Sequence, residues 1–308
     1  MTFYGTQEER PCPVCASRDY AKFADERIEE GKLGEFSYAS RKMPEFMCLR
    51  LVRCKECDLV YAPTPPAFEV LHSEYANASF DSAPEAIAAA KSYAHALKPF
   101  FARLPHRHAA VDVGAGSGPL LPLLEAEGFE PVLGIEPSAA AIEAAPETVR
   151  RQLREGMFSP EIINDVKPSL ICSFMTLEHI DDPGIFVRQA WDLLEPGGML
   201  AVVVHDWKAP LNRLLGMRSP IIDVEHLQLF SRKAMKNLFS SAGFQDIELK
   251  SLRNSYPFRY WMRLTPLPQG MKRGLTGALA KTGLADKTVS LNVGNILAVG
   301  YKPDKETA

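Results

Sequence analysis

Val111-Asp-Val-Gly114-Ala-Gly116-Ser-Gly118 is the stretch on which the fold turns. A short apolar run carrying Asp112 closes on three glycines within five positions, and a helical segment follows. Glycines at a strand-to-helix turn let the backbone pass close to a ligand, with no Cβ in the way. The dinucleotide fingerprint would space them G-x-G-x-x-G; here the third glycine comes one residue early and Pro119 stands in its place. An acidic residue ahead of the first glycine suits a cationic amino-acid tail better than a pyrophosphate. The next apolar run, Val132-Leu-Gly-Ile-Glu136, ends in a carboxylate. At a strand's carboxyl end it can accept hydrogen bonds from both hydroxyls of an adenosine ribose, or be a solvated strand-end acid.

Outward from that turn, short apolar runs alternate with helical segments from about residue 109, the texture of a mostly parallel sheet with crossover helices. The runs are Ala109–Val113, Val132–Ile135, Leu170–Phe174 and Met199–Val204, with Ile247–Leu252 and Asn295–Tyr301 near the end. Upstream, residues 84–104 carry apolar positions at Ile87, Ala90, Ala94, Leu97, Phe101 and Leu104, which predicts an amphipathic helix. Pro84 suits its first turn, and Pro99 should bend or split it. Ala62-Pro-Thr-Pro-Pro66 is a stiff, extended break and a domain boundary by its composition.

Two C-x-x-C pairs precede that break, Cys12/Cys15 and Cys54/Cys57, with 38 residues between them. Each tight turn can aim two thiolates at one tetrahedral ion, so the four read as a structural zinc ribbon with an insertion; the alternative is four unrelated thiols, one pair redox-active. Cys48 and Cys172 have no partner spacing and read as ordinary buried thiols. Lys+Arg of 35 against Asp+Glu of 38 give a net charge of −3, which argues against a dedicated nucleic-acid binder. Residues 251–308 are locally basic, with nine Lys/Arg against three Asp/Glu. No stretch reaches the apolar length of a membrane span, and the start MTFYGTQEERPCPVC lacks the regions of a secretory signal, so a cytoplasmic protein is expected.

Four stretches in order, Asp112-Val-Gly-Ala-Gly-Ser-Gly118, Gly134-Ile-Glu-Pro-Ser138, Leu177-Glu-His-Ile-Asp-Asp-Pro183 and Leu194-Glu-Pro-Gly-Gly198, resemble the successive motifs of class I S-adenosylmethionine-dependent methyltransferases. The resemblance covers roughly residues 109–250. The front end, with Cys54-Lys-Glu-Cys-Asp-Leu-Val-Tyr61, and the later His226-Leu-Gln-Leu-Phe-Ser231 are similar to a subgroup associated with sugar and polysaccharide biosynthesis. These residues do not match the long second C-terminal domain of the deoxysugar C-methyltransferases, so that particular substrate class is not expected. The resemblance implies an α/β fold: a doubly wound, seven-stranded Rossmann-like sheet whose last strand is antiparallel. It implies a zinc-ribbon module over 1–66, a helical connector or lid over 67–108, and a methyltransferase domain over 109–308 with a basic, aromatic insertion at about 254–290. S-adenosylmethionine would be bound by Asp112, Gly114, Ala115 and Gly116 at its methionine end and by Glu136 at the ribose. Met157 and Phe158 would flank adenine or else pack in the core. Cys12, Cys15, Cys54 and Cys57 would hold a structural zinc.

Methyl transfer is an in-line displacement, so the protein must align the acceptor and remove its proton where it has one. Two Glu-His pairs offer a base, Glu178-His179 after the fourth strand and Glu225-His226 beyond a lid-like stretch at 206–224. His226 is the first candidate and His179 the second, with Glu225 orienting the ring or binding the acceptor; the alternative for each His is a loop-anchoring hydrogen bond. Glu178 and His179 could alternatively hold a divalent metal. Tyr75 either hydrogen-bonds the acceptor or packs its helix. Asn254-Ser-Tyr-Pro-Phe-Arg-Tyr-Trp-Met-Arg263 suits a phosphorylated or nucleotide-linked substrate, an RNA-facing surface, an interfacial helix or a solvated basic face. The expected function is methylation of an O or C acceptor on a small molecule, anionic or sugar-type. The alternatives are an RNA or protein methyltransferase that uses the ribbon for recognition, and a cofactor-binding scaffold without chemistry.

Overall fold

A computed structural model of the chain describes residues 8–29, 46–76, 83–265 and 284–304, with isolated positions at 31, 270, 271, 274 and 279. Residues 30 and 32–45, between the two cysteine pairs, and most of 266–283 therefore lie outside the described residues. Eleven strands are described: β1 (Tyr20–Ala24), β2 (Leu51–Cys54), β3 (Val60–Tyr61), β4 (Ala109–Val113), β5 (Val132–Glu136), β6 (Leu153–Glu155), β7 (Pro168–Phe174), β8 (Met199–His205), β9 (Gln228–Leu229), β10 (Gln245–Pro257) and β11 (Thr288–Tyr301). The helices are α1 (Phe68–Ala76), α2 (Ala83–Phe101), α3 (Leu121–Glu125), α4 (Ala139–Glu143), α5 (Glu147–Arg150), α6 (Pro183–Leu193), α7 (Pro210–Leu215), α8 (Arg232–Ser241) and α9 (Phe258–Leu264).

Seven strands form one sheet in the order β10-β11-β8-β7-β4-β5-β6. Strands β8, β7, β4, β5 and β6 run parallel, and the last strand, β11, is antiparallel to both its neighbours. Every residue of β4 and β5 is buried, as expected where helices cover both faces of a parallel sheet. One face packs on α6 and α8 through Phe186, Val187, Met235, Leu238 and Phe239. The other packs on α2 and α3, with Leu97, Phe101, Leu121 and Leu124 fully enclosed. Helix starts are capped as their sequences dictate: Asp182 accepts from the Ile185 N–H ahead of α6, and Ser231 from the Ala234 N–H ahead of α8.

Two local expectations need correction. Pro99 neither splits nor ends α2 where it stands, because it falls in the last turn and the helix closes at Phe101, leaving little ladder to break. Ile87 leaves the apolar stripe and is 48% exposed, since the N-terminal half of α2 turns Ala86 and Ala90, not Ile87, toward the cavity described below.

The N-terminal strands belong to a second sheet, ordered β1-β2-β3-β9 and antiparallel throughout. Its fourth strand comes from beyond β8, so this sheet is not confined to residues before Pro66: Val60 pairs with Leu229 and Tyr61 with Gln228. The 206–224 stretch is docked against the same module and is no uncovered lid. Ile221 and Ile222 are buried in a cluster with Leu49, Leu51, Val60 and Leu71, while the Trp207 indole donates to the Asp58 carbonyl at 2.9 Å. Lys208 adds an ion pair to the Asp58 carboxylate at 2.6 Å.

Candidate active site

A cavity of about 680 Å³ opens at the carboxyl ends of β4, β5, β7 and β8, where open α/β sheets gather their ligands. Its first half is built by the glycine turn. Gly114 and Gly116 take φ of +77° and +56°, the left-handed region that side chains resist, and a Cβ on Gly114 would collide with the Thr176 side chain. The Glu136 carboxylate ties that turn to the next helix: one oxygen accepts from the Gly116 N–H at 2.7 Å, the other from the Ser138 N–H at 2.9 Å. Asp112, Gly114, Ala115, Gly116, Glu136, Met157 and Phe158 all line this half. Phe158 also packs on Phe186 at 5.2 Å between ring centres, so facing the cavity and packing the core go together.

Both carboxylates are buried and titrate high. Burial, with the charge of Glu136 behind it, pushes Asp112 up to about 7. Burial also raises Glu136, against the two amide hydrogen bonds that favour its charged form. Two buried acids beside a glycine cradle fit a ligand that is cationic at one end and carries ribose hydroxyls at the other.

The second half holds three histidines. His226 is 7% exposed, and its Nδ1 lies 2.8 Å from the Ile221 carbonyl. A carbonyl only accepts, so Nδ1 carries the proton and in the neutral ring Nε2 carries the lone pair. Nδ1 of His179 lies 3.0 Å from the Tyr75 hydroxyl and 3.1 Å from the Glu225 carbonyl, to which Tyr75 also donates. The Glu225 carboxylate is 3.9 Å from that same nitrogen. The Glu-His pairs of the sequence are thus regrouped in space: Glu225 stands near both His179 and His226, and a backbone carbonyl orients His226. Glu178 does not share a metal site with His179 either. It is fully buried, with one carboxylate oxygen accepting the His205 N–H at 2.7 Å. Neighbouring residues on a tight turn project to different sides, a fact invisible in their spacing. Ligand atoms of His179, Glu225 and His226 do lie within 4.8 Å of one another.

The third histidine, His205, went unread in the sequence. It ends β8, its Nδ1 lies 3.0 Å from Asn295 Oδ1, and its ring centre is 5.4 Å from that of His226. Burial pushes it down to about 4, so it is neutral at pH 7. A polar residue closing a parallel apolar strand is the signal that could have found it. Asn254, Tyr256, Tyr260 and Trp261 complete the wall from β10 and α9. The aromatic segment therefore turns inward, whereas its basic residues after Arg259 lie largely outside the described residues.

Away from the cavity, the four cysteines converge. Cys12 Sγ is 3.5 Å from Cys57 Sγ, Cys15 Sγ is 3.5 Å from Cys54 Sγ, and all four lie within 4.8 Å. A tetrahedral ion with bonds of about 2.3 Å would space its sulfurs about 3.8 Å apart, so the donor set fits zinc. Cys48 and Cys172 are buried elsewhere.

The described module and the histidine loops share struts. The Arg10 guanidinium donates to the Ala62 carbonyl at 2.9 Å, the Asp181 carbonyl at 2.6 Å and Gln228 Oε1 at 3.3 Å. Gln228 in turn donates to the Leu177 and Ile180 carbonyls at 2.8 and 2.6 Å. The turn bearing His179 and the strand following His226 are thus fixed to one buried amide.

Among known proteins, a family described as "Methyltransferase domain" matches residues 86–249, more than half of the chain. No curated protein matches the sequence. Solved structures similar to it include an S-adenosylmethionine-dependent methyltransferase of Thermotoga maritima, described as a possible histamine N-methyltransferase. It is 20% identical over 70% of this chain and 91% of that one, with a TM-score of 0.44. A second, from Archaeoglobus fulgidus, is described as an S-adenosylmethionine-dependent methyltransferase; it is 13% identical over 77% and 100%, with a TM-score of 0.47. The YcgJ protein of Bacillus subtilis is 19% identical over 69% and 99%, with a TM-score of 0.45.

Proposed function

We propose that the chain, which belongs to the methyltransferase-domain family and is an S-adenosylmethionine-dependent methyltransferase, methylates a hydroxyl or an acidic carbon of a small molecule, with His226 as the base. S-adenosylmethionine would supply an electrophilic methyl on a cationic sulfur. Asp112 and the turn Gly114-Ala115-Gly116 would receive its amino-acid end, Glu136 its ribose, and Met157 with Phe158 its adenine. The charge of Asp112 balances the cation where bulk water is excluded.

The observation that carries the reading is the His226 tautomer. With Nδ1 donating to the Ile221 carbonyl, Nε2 is the ring nitrogen that would take the acceptor's proton as its oxygen or carbon bonds the methyl. His179, held by Tyr75, would position the acceptor or serve as the second base. The Cys12, Cys15, Cys54 and Cys57 set supports one structural zinc per chain, with all four positions filled by thiolates and none left for chemistry. An anionic or phosphorylated acceptor draws no support from the cavity: its described lining has six carboxylates and no Lys or Arg.

The test is His226→Asn. General-base loss costs about a hundred- to ten-thousand-fold in rate, and S-adenosylhomocysteine affinity by calorimetry should stay within about two-fold. Near-normal turnover would transfer the role to His179 or remove it.

A further inference from the structure

Two loops meet at the histidine end of the cavity, and their backbones are stitched together. The turn bearing His179 follows β7, and the segment bearing Glu225 and His226 leads into β9. The Leu227 N–H donates to the Glu178 carbonyl at 2.9 Å, one residue along from each histidine. The Gln228 amide donates to the Leu177 and Ile180 carbonyls, on either side of His179. Three side chains able to ligate a metal are held at one place as a result, and ligand atoms of His179, Glu225 and His226 lie within 4.8 Å of one another. Bonds of about 2.1 Å to one ion would set such atoms roughly 3–4 Å apart, so movements of about an ångström close the set.

Both rings are already turned for coordination. His226 Nδ1 donates to the Ile221 carbonyl at 2.8 Å, and His179 Nδ1 stands 3.1 Å from the Glu225 carbonyl. A carbonyl beside one ring nitrogen fixes that nitrogen as the protonated one and makes Nε2 the ligand atom, the support that metal-bound histidines usually have. The Glu225 carboxylate adds a charged oxygen, with Oε2 3.9 Å from the His179 ring. All three residues line the cavity, so an ion on them keeps coordination positions open toward it, unlike one enclosed by four thiolates. Two imidazoles with one carboxylate favour zinc, nickel or copper over magnesium or calcium, which seek oxygen alone.

We propose that His179, Glu225 and His226 form a second metal site, separate from the four cysteines, for one divalent transition-metal ion. The ion acts as a regulator: coordination takes the electron pair of His226 Nε2, Nδ1 keeps its proton, and the ring can then accept none from the acceptor. The metal-loaded chain holds its cofactor but does not transfer the methyl until the ion is removed. Binding of the ion stands on the geometry alone; its effect on transfer rests on the reading of His226 as the base.

The test titrates nickel, with magnesium as the oxygen-seeking comparison, into the full chain supplied with zinc for its cysteines and loaded with S-adenosylhomocysteine. Calorimetry should find one nickel per chain, bound roughly a hundred-fold or more tightly than magnesium. His179→Ala, His226→Ala and Glu225→Gln should each weaken nickel by about ten-fold or more. Unchanged S-adenosylhomocysteine affinity certifies the fold of each variant. On the unaltered chain, cobalt in place of nickel should give visible absorption without the charge-transfer band that thiolate ligands would add. Absence of a nickel site, equal affinity for magnesium, a thiolate band, or nickel affinity that survives all three substitutions overturns the metal site. Turnover that persists at saturating nickel overturns the regulatory step. Near-normal turnover of His226→Asn would instead remove the base reading, and the regulation with it, while the nickel affinities stand.

Discussion

Asp112 and Glu178 are both carboxyls that burial pushes up to about 7, and they make opposite demands. Asp112 faces the cavity. A cationic ligand beside it would favour its charged form, so S-adenosylhomocysteine affinity should rise with pH up to about 7, by at most ten-fold per unit, and level off above it. Calorimetry in buffers of different ionisation enthalpy should show proton release on binding near pH 6–7, and Asp112→Asn should abolish both effects. Glu178 faces no ligand. Its carboxyl holds a proton more tightly in the folded chain than at the ordinary 4.5, so its contribution to stability is complete below that pH and is lost as pH climbs to about 7. Glu178→Gln should therefore flatten the decline and be more stable at pH 8 by about 1–3 kcal/mol in urea unfolding. An unaltered slope would show the carboxylate solvated after all. Glu136→Ala removes a group that braces the glycine turn as well as facing the cavity; S-adenosylhomocysteine affinity should fall about ten- to a hundred-fold. Which residues line the cofactor half was readable in the sequence, because a glycine turn and the acid of the next strand are local, ordered features. His205 was not, because it reaches the cavity through strand order in the sheet, which no spacing encodes.

Among elements, the strands buried on both faces were the most legible: the run Ala109–Val113 is β4 residue for residue, and Met199–Val204 falls one residue short of β8. Two-residue β9 left no readable pattern, and the inward turn of the aromatics on β10 and α9 could not be told from an outward one. Yet β9 links the cysteine module to the reacting loops. Cys54→Ser should lose the one zinc expected per chain by elemental analysis. It should also raise hydrogen exchange over residues 205–230, because Asp58, four residues on, anchors Trp207 and Lys208. Zinc retained, or exchange unchanged once it is gone, would mean that the loops hold their shape without the module.

Across the whole molecule the same strand makes the front end hard to detach. A chain beginning at residue 67 would strip the cover from Ile221, Ile222, Leu227 and Leu229, all now nearly inaccessible, and leave Gln228 without Arg10. It should yield less soluble protein and lower the midpoint of thermal unfolding by several degrees, with acceptor binding affected more than S-adenosylhomocysteine binding. There is a consequence for the order of biosynthesis. The ribosome makes β3 early, but its partner β9 emerges only after the 166 intervening residues 62–227. At about 5–20 residues per second, β3 waits roughly 10–30 s as an open edge, the interval in which an unpaired strand is most prone to join a wrong neighbour. The cysteine module, first to leave the ribosome, thus adjoins a sheet that is among the last parts of the protein to close.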